Sequence, residues 1–156
     1  MQDLPSLLTL SCWQDYRSFY ENHYCRAKII TADGIRVYFS ASKFNHAFYE
    51  SSKGKSKNEF SQLRAERMPW IAYTLKHPDA SLYQGWISAT KTYDPARRVS
   101  VVYGDFVVVI DVSANQQNQL KANFVTCYVA ENSIDRIRKS PVWSREECLC
   151  KLGIVE

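Results

Sequence analysis

The sequence contains no apolar run near the roughly 20 residues that a membrane-spanning helix needs. It has only five glycines, and none sits in a phosphate-cradling Gly-rich loop. No paired-His zinc motif and no Gly-x-Ser-x-Gly elbow occur. These absences weigh against nucleotide-dependent, zinc-protease and α/β-hydrolase chemistry. Cysteine is present without a pattern. Of Cys12, Cys25, Cys127, Cys148 and Cys150, only the last two are close, and one residue separates them. That spacing does not match the usual structural zinc sites, so free thiols in a reducing compartment are expected, with neither metal nor cofactor. Met1 to Pro5 has no basic start and leads into no long apolar core, so no secretory leader is expected. The expected location is the cytoplasm, with no membrane partner.

What is present fits one packed unit. The chain has 156 residues, 46% hydrophobic and 23% charged, enough for one core and too few for two comfortable ones. A single domain over residues 1–156 is expected. Net charge is +4. Basic residues gather at Lys43, Lys53, Lys55, Lys57, Arg64 and Arg67, at Lys91, Arg97 and Arg98, and at Arg136, Arg138 and Lys139. Such runs are usually solvated faces, and they are also compatible with a polyanionic partner.

Local pattern predicts helices first and strands second. Ser11 to Cys25 reads as a helix whose Trp13, Tyr16, Phe19, Tyr20 and Tyr24 recur at spacings of three and four, a core stripe. Residues 28–39 read as a hairpin turning at Asp33-Gly34. A short capped helix is predicted over Lys43 to Glu50, and a polar basic loop over Ser51 to Asn58. Glu59 to Lys76 reads as the main helix, striped by Phe60, Leu63, Ile71 and Leu75, with Pro69 kinking or dividing it. Arg64 and Arg67 fall on or beside that stripe.

The period then changes to two. Ser81 to Thr90 suggests a strand, and Val99 to Val112 reads as a hairpin about Gly104-Asp105. Val107 to Ile110 is apolar on both sides and predicts a central, covered strand. Strict alternation over Phe124 to Val129 puts Val125, Cys127 and Val129 on one face and Phe124, Thr126 and Tyr128 on the other. Ser144 caps a final helix to Leu152, with Glu147 in the capping-box position.

Polar residues beside these apolar surfaces are the candidates for chemistry: His46, Arg64, Arg67, Lys91, Tyr103, Thr126 and Tyr128. RNA cleavage by a 2′-hydroxyl needs a base for the 2′ proton, cations or donors around the phosphorane, and an acid for the leaving 5′ oxygen. Histidine suits either proton role, because imidazole changes charge between pH 5 and 8. Arginine offers phosphate a planar fork of donors. Each residue also has a plain structural reading. His46 suits a helix, the arginines can snorkel from the core edge, Thr126 is a good strand former, and Tyr103 and Tyr128 can pack with polar tips.

The order of segments resembles the phage- and prophage-associated branch of the barnase–EndoU–colicin–RelE superfamily of RNases. Phe44-Asn45-His46-Ala47-Phe48 is followed by Arg64-Ala65-Glu66-Arg67-Met68-Pro69-Trp70-Ile71 and Leu75-Lys76-His77-Pro78-Asp79. Then come Tyr103 to Ile110 and Phe124-Val125-Thr126-Cys127-Tyr128. The last matches a late Phe-[Val/Ile]-Thr-Ala-Tyr strand, and the likeness spans residues 35–130. Cys127 replaces the small Ala, Val129 stands where a Pro often ends the strand, and no second His can be matched.

The resemblance implies an α+β fold, N-terminal helices packed on a C-terminal four-stranded antiparallel sheet. It implies a metal-independent endoribonuclease of toxin or phage-effector type that leaves a 2′,3′-cyclic phosphate. The substrate would be RNA, a tRNA or an mRNA, and the partner a cognate antitoxin or immunity protein. Residue by residue, it implies His46 as base or acid, Arg64 and Arg67 as phosphate-contacting cations, and Thr126 as a phosphate donor. Lys43, Lys91, Tyr103 and Tyr128 are the candidate substrate-binding residues, and the acid is left open among Tyr128, Arg67 and Lys91. The alternative is a catalytically silent nucleic-acid- or protein-binding phage module on the same scaffold.

Overall fold

A computed structural model describes residues 4–51 and 57–155. The elements run α1 (Trp13–Tyr20), a π-helical turn (Glu21–Cys25), β1 (Ile29–Ile30), β2 (Arg36–Tyr38), α2 (Lys43–Ala47), β3 (Tyr49–Ser51), β4 (Lys57–Phe60), α3 (Gln62–Glu66), α4 (Met68–Lys76), β5 (Ser81–Gln84), β6 (Arg98–Tyr103), β7 (Phe106–Ala114), β8 (Leu120–Val129), α5 (Ile134–Arg138) and α6 (Arg145–Leu152). The fold is α+β. Among the described residues no helix is long and apolar enough to cross a membrane.

The sheet is larger than expected, and mixed. Its order is β1-β2-β8-β7-β6-β5. Strands β8, β7, β6 and β5 pair antiparallel throughout, the four-stranded unit anticipated. To its β8 edge the β1–β2 hairpin adds two more strands, with β2 parallel to β8 through Arg36–Lys121, Val37–Ala122 and Tyr38–Asn123. The hairpin itself is legible from its turn, where Gly34 takes φ 91°. Which sheet it joins is a long-range choice that local period does not carry. The final helix α6 falls where expected; what departs from helices first and strands second is that the hairpin joins the main sheet and that α5, which local pattern did not predict, follows β8.

Two apolar layers flank the sheet. On one face Val99, Val101, Phe106, Val108, Ile110, Phe124 and Cys127 pack against Tyr16, Tyr20, Phe44, Met68, Ile71 and Leu75 from the helices. On the other, Val102, Val107, Val109, Val125 and Ala130 form a smaller cluster under Ile134 and Ile137 of α5. Strand β7 alternates between the two layers, which is why Val107 to Ile110 is buried on both sides.

The main helix divides at Arg67 into α3 and α4, and Pro69 lies in the first turn of the second, where its missing N–H costs nothing. Ser61 caps α3 by accepting from Arg64 N, so the segment before it, 57–60, is free to be strand β4 and not helix. Of the polar basic loop read over 51–58, residues 52–56 lie outside the described residues. Ser144 caps α6 by accepting from Glu147 N, and Gly153 closes it at φ 73°.

The tyrosines of the first helix form one stripe with three anchors. Tyr16 Oη donates to Leu8 O at 2.8 Å and accepts from Leu10 N and Gln62 Nε2. Tyr20 Oη donates to Ser40 O at 2.8 Å, just ahead of α2. Tyr24 Oη donates to Met68 O and accepts from Ala72 N, fixing α4. Burial raises the Tyr20 and Tyr24 hydroxyls well above the ordinary phenol value, so both remain donors.

Candidate functional site

Strand β8 does not alternate strictly. Val109 pairs with Thr126 and Ile110 with Phe124, so Val125 is the extra residue of a β-bulge. The bulge corrects the expected faces. Phe124 and Cys127 both enter the helix-covered core, while Val125, Thr126 and Tyr128 all turn to the opposite face. Without that inserted residue Phe124 and Thr126 would share a side, as simple alternation predicts.

A cavity of about 540 Å³ opens on this second face. Its floor is the cross-strand row Ser100, Val109 and Thr126. His46 of α2 and Tyr128 reach it from the β8 side, Gly85, Trp86, Tyr93 and Arg98 from the β6 side, and Arg136, Ile137 and Ser140 from α5. Among the described residues no Asp or Glu lines it. Its charged lining is Arg136 and Arg98, the latter offset from behind by Asp111, so the net field suits an anion.

Each wall is held from behind. Arg98 donates from Nε to Asp111 Oδ1 at 3.0 Å and from Nη2 to Asp111 Oδ2 at 3.3 Å. Its stem lies on Gly85, where a β-carbon would stand 2.3 Å from Arg98 Cγ. Arg138 Nη2 donates to Gly104 O at 2.6 Å and pins α5 to the β6–β7 turn. Tyr93 and Ser140 hydroxyls meet at 3.4 Å across the rim, and the Tyr93 ring meets exposed Trp86 edge-on at 5.2 Å. Arg64 Nη1 donates to Ala47 O at 3.2 Å, the carbonyl next to His46, and its Nε lies 3.6 Å from Glu50 Oε1. Thr126 Oγ1 is shielded from solvent and has no hydrogen-bond partner among the described residues. Burial raises the Tyr128 hydroxyl above the usual phenol value, against the pull of Arg136 and Arg64, so it stays protonated.

The candidates thus divide. His46, Thr126 and Tyr128 line one cavity. Arg64 supports the end of α2 behind it. Lys43 lies next door, in a smaller hollow with Asp111 and Asn123. Arg67 is turned away: it stacks over Trp70 at 4.9 Å and donates to Leu63 O. Lys91 sits exposed in the turn after Trp86 at φ 52°. Tyr103 lies toward the helix-covered side against Tyr73 and His77. Sequence reading passed over Arg98 and Arg136, taken there as solvated charge. For Arg98 a signal existed: alternation with buried Val99 and Val101 places Arg98 and Ser100 on the face opposite the main core.

Comparison with protein-family models, with curated proteins and with solved structures finds no match.

Proposed function

We propose that the chain is a metal-independent endoribonuclease of toxin or phage-effector type, built on a scaffold like that of the barnase–EndoU–colicin–RelE superfamily. The observation that carries this reading is the convergence of His46, Arg98, Arg136, Thr126 and Tyr128 on one open cavity that no Asp or Glu lines among the described residues. In the reaction, the neutral His46 imidazole takes the 2′ proton as O2′ attacks phosphorus. The P–O5′ bond breaks, its electron pair stays on the 5′ oxygen, and that oxygen takes a proton from Tyr128. Solvent then returns a proton to Tyr128 and removes one from His46. The products are a 2′,3′-cyclic phosphate and a free 5′-hydroxyl.

Arg98 and Arg136 donate to the non-bridging oxygens, where charge builds up, above a floor in which the shielded Thr126 hydroxyl has no partner among the described residues. Of the three residues open to the acid role, Tyr128 alone lines the cavity. Arg64 serves as a positioning residue for His46 through the Ala47 carbonyl. Exposed Trp86, with Tyr93 against it, offers a face to an unstacked base. An antitoxin or immunity protein would act by covering this mouth.

The test is incubation of purified protein with total RNA in EDTA, with end-group analysis. Fragments ending in cyclic phosphate are expected, and His46→Ala should lower the rate by roughly 100-fold or more. RNA left intact by the wild-type protein would overturn the reading. Salt-sensitive RNA binding without cleavage would instead favour a silent binding module.

A further inference from the structure

Next to the cavity, the β2–β8 pair carries an arrangement that the cleavage chemistry does not use. Arg36 and Lys121 are direct partners across the parallel pair, two like charges placed opposite each other, which costs stability when nothing lies between them. Both cations address the same ring. Arg36 Cζ is 4.6 Å and Lys121 Nζ 6.0 Å from the centre of Tyr38, itself 46% exposed. Among the described residues neither cation meets a carboxylate within ion-pair range, and Arg36 Nε is shielded without a hydrogen-bond partner.

Tyr38 also separates two hollows. One, about 310 Å³, lies between it and Lys43, Ser40 and Asn123. The other, about 500 Å³, is edged by Lys121, Asn115 and Gln117. Val125 lines both the first hollow and the His46 cavity, so the two are neighbours across the bulge. Among the described residues the one acid lining these hollows, Asp111, is already engaged by Arg98. From β2 to β6 is three strand spacings, roughly 14 Å, a span of a few nucleotides.

We infer that the exposed face of this pair is a binding track for single-stranded RNA, which stacks a base on Tyr38, sets phosphates on Arg36, Lys121 and Lys43, and leads the strand into the His46 cavity. An exposed aromatic ring flanked by cations is how single strands are held without sequence readout. A polyanion would also relieve the Arg36–Lys121 repulsion. The track rests on the reading of the cavity as an RNA-cleaving site and adds to it a substrate form, an extended strand and not a duplex.

The test uses the full chain carrying His46→Ala, so that RNA survives, and measures anisotropy of a labelled eight-nucleotide single strand. Adding Tyr38→Ala should weaken binding roughly ten- to hundred-fold, and Tyr38→Phe should restore it. Arg36→Gln with Lys121→Gln should lower the slope of log K against log salt by about 1.4. With the catalytically intact protein, Tyr38→Ala should slow cleavage of the eight-mer and leave a dinucleotide, too short to reach β2, cleaved as before. Binding of the single strand that is indifferent to Tyr38→Ala, or equal binding of the matching duplex, would overturn the track while leaving the nuclease reading intact. Tyr38-dependent binding with no cleavage by the His46 protein would keep the track and overturn the catalysis. Absence of any RNA binding would overturn both.

Discussion

Arg98 and Asp111 face each other across β6 and β7 and are joined through both oxygens of the carboxylate, at 3.0 and 3.3 Å. Two parallel bonds fix the guanidinium plane as well as its position, which a single bond from an ammonium cannot do. The side chains are about a third exposed, 28% and 36%, so the pair contributes little to folding. Arg98→Lys should therefore cost less than about 1 kcal/mol in urea unfolding. Its effect on RNA cleavage should be larger, a loss of roughly 100- to 1,000-fold in kcat, as for removal of one oriented donor. A stability loss without a kinetic one would show that Arg98 only braces the sheet.

Gly85 enforces the same geometry from the other side. Its backbone is not left-handed, so alanine is admissible there conformationally, but the added β-carbon would meet Arg98 Cγ at 2.3 Å. Gly85→Ala should destabilise by about 1–3 kcal/mol, the range for overpacking. Combined with Arg98→Ala, which removes the obstructing stem, the cost should fall well below the sum of the two single changes. A thermodynamic cycle by chemical denaturation measures this, and strict additivity would refute the contact.

The three-bond node at Tyr16 makes a separate prediction. Tyr16→Phe leaves Leu8 O, Leu10 N and Gln62 without their shared partner in a part-buried setting. A loss of about 1–3 kcal/mol is expected. Tyr20→Phe removes one bond, to Ser40 O, and should cost about 1 kcal/mol. The second change acts at the entry to α2, so it should also lower cleavage through His46, whereas Tyr16→Phe should not once the protein is folded. Comparing kcat at a temperature where all variants are native distinguishes them.

Acid should weaken the attachment of the last helix. Lys151 Nζ donates to Asp94 Oδ1 at 2.8 Å, tying α6 to the loop before β6. That bond holds the Asp94 carboxyl below the ordinary carboxylate value, helped by the Ala96 N–H. A carboxyl depressed in the folded state contributes stability that is present above its unfolded pKa and lost as pH falls through its folded one. Lys151→Met should therefore be less stable than wild type at pH 6, by a few tenths to about 1 kcal/mol, and the gap should close as pH falls below about 4. A gap that stays constant with pH would assign the effect to packing.

Local pattern carried much of this architecture. The Gly104 turn, the helix division just before Pro69 and the Ser144 cap are all written in short windows, because each depends on one residue's backbone chemistry. Thr126 and Tyr128 were legible as neighbours two apart on a strand. The face they share with Val125 was not, because a bulge is fixed by how two strands mate and leaves no mark in one of them. Arg98 could be placed on its face by alternation with Val99 and Val101, whereas Arg136 looks in sequence like any surface cation. The placement of Arg136 depends on α5 folding back over the β6–β8 face, held by Arg138 on Gly104 and by Ile134 and Ile137 on the valine cluster. The spacing of Arg67 was equally suggestive, yet the break between α3 and α4 turns it onto Trp70.

The parallel pairing of β2 with β8 has a consequence for how the chain is made. Some eighty residues separate the paired segments Arg36–Tyr38 and Lys121–Asn123. A ribosome releasing the chain from its N-terminus delivers the β1–β2 hairpin long before its neighbour exists, at about 5–20 residues per second. For several seconds the hairpin has an open edge and no sheet to join. The wall of the cavity that carries Thr126 and Tyr128 emerges later still. The half-made chain cannot assemble the proposed catalytic cavity, and a cell making such a nuclease is spared it until most of the polypeptide has emerged.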